Sequence, residues 1–181
     1  MKRKILTLCV VALLIALASA GTYSNSVYTQ TARNVITSGG VDIALLEYTA
    51  DGTAYPSEPV VIMPGDVVSK QVMVQNIGNS PAFLRVKLTP GVNDAALSAD
   101  DCIQMELDLT NWTYRDGYYY YNQILQPGQT TPALLTQVTF VGDKITNAYL
   151  GKLFSLNVAA QAVQSEHNGT DPLKALGWPE T

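Results

Sequence analysis

From residue 41 to residue 163 the chain is interrupted by Gly, Pro, Asn or Asp within about every ten residues, and the intervals are short runs rich in Val, Ile, Leu, Thr and Tyr. A globular helix needs about ten to twelve continuous residues, whereas a strand needs only four to eight. The spacing therefore points to strands closed by turns. Over residues 70–76, Val72 and Val74 alternate with Gln71, Met73 and Gln75; over residues 83–89, Leu84, Val86 and Leu88 alternate with Arg85 and Lys87. Such period-two runs bury one face and wet the other. The intervening Asn76-Ile77-Gly78-Asn79-Ser80-Pro81 reads as the loop that joins two neighbouring strands.

Further strands are expected at residues 41–49, 60–63, 103–109, 118–121, 134–141 and 152–163. Asp51-Gly52, Pro64-Gly65-Asp66, Asp116-Gly117, Pro127-Gly128 and Gly142-Asp143 provide turns between them. Two short helices are expected from end signals alone: residues 93–97, and residues 172–176 with Asp171 as N-cap, Pro172 at the first position and Gly177 as stop. The expected fold is all-β: a single jelly-roll-like antiparallel β-sandwich of eight or so strands over residues 41–181, with one or two short helices.

Two segments precede it. Lys2, Arg3 and Lys4 are followed by an apolar stretch over residues 5–18 and the small triplet Ala18-Ser19-Ala20, the layout of a secretory signal peptide. As a helix that stretch reaches about 21 Å, short of a hydrocarbon core about 30 Å thick, so a stable membrane anchor is not expected. Ala18-x-Ala20 suggests cleavage between Ala20 and Gly21, and Gly21 to Ser24 offer a second small-residue junction between Ser24 and Asn25; with either cut the product is expected to be exported. Loss of three basic residues from eleven leaves eight against fifteen acidic ones, moving the formal charge from −4 to −7. Nucleic acid is a poor partner for such a chain.

Residues 25–40 are polar, Thr-rich and capable of an extended conformation, with Val27, Tyr28, Val35 and Ile36 as their large apolar residues and Gly39-Gly40 as a joint. Two readings stand: an edge strand paired within its own domain, or a strand lent to another subunit through main-chain hydrogen bonds, with those four residues setting its register.

Residues suited to catalysis are few. His167 is the single histidine, so an HExxH zinc helix is impossible, and no Gly-x-Ser-x-Gly elbow accompanies it. Cys9 lies in the signal segment and Cys102 is then the only thiol, expected as a small buried residue. Asp100-Asp101 and the pair Glu106 and Asp108 lack the spaced ligands of a Ca²⁺ loop and read as a solvated acidic face. No cofactor, metal site or catalytic set is expected. The aromatic group of Trp112, Tyr114 and Tyr118 to Tyr121 admits two uses, cross-strand packing or a platform for sugar rings, the latter through Trp112, Tyr119 and Tyr121.

Taken in order, Gly21-Thr22-Tyr23, residues 32–45 (ARNVITSGGVDIAL), Pro64-Gly65-Asp66, residues 74–88 (VQNIGNSPAFLRVKL), residues 116–128 (DGYYYYNQILQPG) and residues 159–179 (AAQAVQSEHNGTDPLKALGWP) make a pattern. It resembles the camelysin and TasA-like proteins of Gram-positive bacteria, which are exported through a SipW-type signal peptidase. The resemblance implies a jelly-roll-like sandwich in the extracellular matrix. It also implies cleavage after Ser24 and fibres built by donation of the N-terminal strand, to the same protein or to related matrix proteins. Camelysin carries a metallopeptidase label, but the residues here supply no convergent hydrolytic set.

Overall fold

The computed structural model describes residues 27–38 and 40–179, the side chains of residues 27–34 and 38 excepted. The expected signal peptide and both candidate cleavage junctions, Ser24 with Asn25 and Ala20 with Gly21, lie outside the described residues.

The chain forms β1 (Val27–Ser38), β2 (Ile43–Tyr48), β3 (Val60–Ile62), β4 (Val67–Asn76), β5 (Ala82–Val92), β6 (Ile103–Leu107), β7 (Trp112–Arg115), β8 (Tyr118–Tyr121), β9 (Leu135–Phe140) and β10 (Leu153–Gln164). They make two sheets, a six-stranded one in the order β3-β1-β10-β5-β8-β7 and a four-stranded one in the order β2-β4-β9-β6. The all-β sandwich expected from the turn spacing is the observed fold. It departs from a wholly antiparallel sandwich in one ladder, for β1 runs parallel to β10.

Alternation places the core as the sequence pattern requires. Leu84 and Val86 on β5, Val72 and Val74 on β4, and Phe154, Leu156 and Val158 on β10 are buried between the sheets. Phe140 of the smaller sheet meets Phe154 of the larger edge to face, with centroids 5.8 Å apart. Arg85 and Lys87 consequently project from the outer face of the larger sheet. Between β7 and β8 both turn residues have positive φ, Asp116 at 51° and Gly117 at 83°, as a two-residue turn matched to strand twist demands.

Among the described residues, one ion pair is buried in the core. Glu47 on β2 and Lys70 on β4 form a 2.8 Å ion pair whose side chains are 1% and 3% exposed. The Lys70 ammonium also lies 3.7 Å from the centroid of the Tyr55 ring. Burial, and then the charge of Glu47, pushes the Tyr55 hydroxyl above its ordinary range.

The structure differs from expectation at three places. Residues 93–97 are not helical: Asp94 accepts the Ala96 N–H at 3.0 Å and pairs with Lys152 at 2.7 Å, so its side chain holds a turn instead of capping a helix. The expected helix at residues 172–176 is a 3₁₀ turn, Pro172–Lys174, with Asp171 accepting the Leu173 N–H at 3.0 Å. Strand β7 went unread, because its four residues lie between Asn111 and the Asp116-Gly117 turn and carry no long alternation.

Candidate functional site

Of the segment that composition sets apart, residues 27–38 enter the body of the larger sheet as β1. The first of the two readings, a strand paired within its own domain, describes the single chain. Over Val27 to Thr29 the strand pairs antiparallel with Ile62 to Val60 of β3, and from Tyr28 to Ser38 it pairs in parallel with Leu153 to Val163 of β10. It thus fills a slot between one short strand and one long one.

The way this slot is closed differs from the rest of the fold. Neighbours such as β7 and β8 are tied by a two-residue turn, which enforces their pairing locally. The parallel ladder between β1 and β10 joins opposite ends of the chain, and no turn enforces it. Along the chain β1 leads on to β2 through the Gly39-Gly40 joint, and Gly40 has φ of 73°. The next strand, β2, belongs to the other sheet. Of the four residues expected to set register, Val35 stands beside Ala160 and Ile36 beside Gln161, while Tyr28 stands beside both Leu153 and Val61, and Val27 beside Ile62. Val35 is 43% exposed and Ile36 40% exposed.

Of the two uses open to the aromatic residues, the geometry describes cross-strand packing for Trp112, Tyr119 and Tyr121. Trp112 is 1% exposed and sits in the main core, with Tyr121 buried beside it at a centroid distance of 5.2 Å. Tyr119 packs against the same core and against Tyr114, at 4.9 Å. Hairpin register explains this: Trp112 faces Tyr121 and Tyr114 faces Tyr119, so these four share one face, on which Trp112 and Tyr121 are buried, Tyr119 is partly buried and Tyr114, toward the turn, is 58% exposed. The sequence showed that the tyrosines must divide between two faces, but not which face turned inward.

Tyr118 and Tyr120 occupy the outer face instead, and they too are covered. The guanidinium of Arg85 lies 3.9 Å from the centroid of Tyr118 and 4.6 Å from that of Trp178. Arg85 donates from Nε to Gln161 Oε1 at 2.7 Å, from Nη1 to the Tyr120 hydroxyl at 3.1 Å, and from Nη2 to the Pro179 carbonyl at 3.4 Å. With Ala175 and Trp178 packed on Phe83 and Val163, the C-terminal segment is a strap across the outer face. Asn168 fastens it by donating to the Leu176 carbonyl at 3.0 Å and accepting the Leu176 N–H at 2.8 Å. Trp178→Ala is expected to cost about 2 kcal/mol through lost cation–π and aromatic contact. It should also make the strap the first point of proteolysis. An unchanged melting temperature with an unchanged cleavage pattern would contradict this.

The remaining polar candidates are not gathered. Asp108 accepts from the Thr110 and Asn111 backbones and from the Asn111 amide, bonds that hold its carboxyl below the usual range, while Glu106 lies on β6 and is exposed. Asp100 is taken up locally by Ser98. His167 occupies an open loop with φ of 60°. Cys102 is buried, its thiol 3.7 Å from the Ser98 and Lys144 carbonyls. Among the described residues no three His, Cys, Asp or Glu side chains are grouped as metal ligands would be. No helix among them is long and apolar enough to cross a membrane.

No protein-family model, curated protein or solved structure matches the chain.

Proposed function

We propose that the processed chain is a secreted, non-catalytic structural subunit of an extracellular matrix or surface fibre, assembled when β1 of one copy fills the slot between β3 and β10 of the next. The observation that carries this reading is the parallel β1–β10 ladder, which joins chain ends through a single Gly39-Gly40 connection. An interaction that no local turn enforces is made equally well by the same strand from another copy. Effective concentration and the strain at the joint decide between them. Main-chain hydrogen bonds then supply the affinity, and side chains at alternate positions set the register. A head-to-tail contact of this kind is heterologous and propagates instead of closing.

On this reading the chain belongs with the camelysin and TasA-like exported proteins. A SipW-type signal peptidase cuts after Ser24 and frees β1, and the partners are further copies or related matrix proteins. No specific observation favours a hydrolytic or sugar-binding alternative.

The test locks β1 in its own slot. Ala32 and Asn157 are register partners on adjacent parallel strands. Strands about 4.8 Å apart lie within disulfide reach. The chain from residue 25 carrying Ala32→Cys and Asn157→Cys is expected to remain unpolymerised when oxidised and to form fibres after reduction, as seen by electron microscopy. Fibres from the oxidised, intramolecularly locked protein would end the proposal.

A further inference from the structure

The slot of β1 has a second side. Strand β3 pairs with only Val27, Tyr28 and Thr29, and no strand or isolated bridge among the described residues pairs with residues 30–38 on the side away from β10. Nine consecutive residues therefore present an open edge, and roughly every second one offers its N–H and C=O outward. Exposure of the consecutive residues Val35 and Ile36, which lie on opposite faces of the strand, fits an edge with nothing beside it.

The other edges of the sandwich are shorter or covered. The returning segment shields β2, with the Tyr55 N–H on the Glu47 carbonyl at 2.9 Å and Ala54 bridged to Tyr48. Strand β7 has four residues, and β6 has five, including exposed Glu106. Proteins ordinarily blunt a long edge with Lys, Pro or inward charges. Residues 30–38, Gln-Thr-Ala-Arg-Asn-Val-Ile-Thr-Ser, contain no Lys, Pro, Asp or Glu, and Arg33 is their single charge.

We infer that this edge pairs with the same edge of a second copy, antiparallel across a two-fold axis at Asn34, merging two six-stranded sheets into one. The sequence of the edge is chemically self-complementary about that point. Antiparallel pairing centred on Asn34 sets Gln30 opposite Ser38, Thr31 opposite Thr37, Ala32 opposite Ile36 and Arg33 opposite Val35, with Asn34 opposite its own mate. Gln thus meets Ser, Thr meets Thr and Ala meets Ile; each Arg33 lies opposite an exposed Val35, so the two arginines are not set against each other. Cross-strand pairs of this kind stabilise a sheet, and like charges directly opposite destabilise it. The contact is isologous and closes as a dimer. It goes beyond the fibre reading, because the edge is the same whether β1 belongs to the chain or to a neighbour.

The experiment uses the disulfide-locked, oxidised chain from residue 25, in which strand donation is blocked and the edge is free. Sedimentation equilibrium is expected to show a reversible dimer. Asn34→Lys and Asn34→Asp, which put like charges face to face across the axis, are each expected to weaken it by about tenfold or more, and an equimolar mixture of the two is expected to recover dimer. Circular dichroism melts confirm that both variants fold. A locked protein that stays monomeric at several hundred micromolar (about the upper working range for so weak an edge contact) overturns the inference. So does a dimer indifferent to both substitutions, or a mixture that fails to recover. Because donation is blocked throughout, neither result bears on the fibre reading.

Discussion

Glu47→Ala is expected to lower the free energy of unfolding by about 3–5 kcal/mol. The carboxylate is 2.8 Å from the Lys70 ammonium, and both side chains are almost inaccessible to water. Deleting Glu47 takes away the carboxylate 2.8 Å from a buried ammonium, an attraction that the Tyr55 face, 3.7 Å away, does not replace in full. Lys70→Met added to Glu47→Ala removes the buried cation as well and should restore most of the loss, since a buried pair is often matched by an apolar one of similar volume. Guanidinium denaturation of the two single variants and the double variant forms the cycle. Additive losses would mean that the pair is not coupled. Removing the Glu47 charge should also let the Tyr55 hydroxyl ionise at lower pH, because that charge is one of the two causes that raise it. A tyrosine whose folded pKa is raised contributes stability below its unfolded value that is lost as pH climbs through the folded one, so the parent should weaken in alkali.

Trp112→Ala is expected to cost about 3–5 kcal/mol. The side chain is 1% exposed and packs against Tyr121, and the hairpin of β7 and β8 has no comparably buried residue on β7 to hold it. Its indole N–H has no hydrogen-bond partner among the described residues. Trp112→Phe, which removes that donor while keeping an aromatic ring, should therefore cost far less, about 1 kcal/mol. Equal losses for Ala and Phe in urea titrations would show that the N–H, and not the ring volume, matters at this site.

The larger features of the fold were readable in the chain because period-two alternation is a local signal. Strands β4, β5 and β8 lie where Val72 and Val74, Leu84 and Val86, and the four tyrosines placed them. Face assignment in the aromatic hairpin was not readable. It depends on which way the pleat of β8 turns against β5, where Arg85 stands beside Tyr120 and Val86 beside Tyr119, and that is a long-range register. The same limit hid the strap: Arg85 looks like an ordinary solvent-facing residue until Trp178, from the far end of the sequence, is laid over it. Residues 25–38 were singled out by composition, yet their parallel partner at the other end of the chain left no mark on any short window.

That partner also sets a clock. In the larger sheet β10 stands between β1 and β5, and among the described residues it is the last strand in chain order. Until residues 153–164 have emerged, β1 and β5 have nothing to join them, and the ladders that complete the sheet span long loops whose closure is slow. A chain still being made can therefore pair β1 with β3, β5 with β8, and the four strands of the smaller sheet, but the two parts of the larger sheet are joined only when β10 arrives.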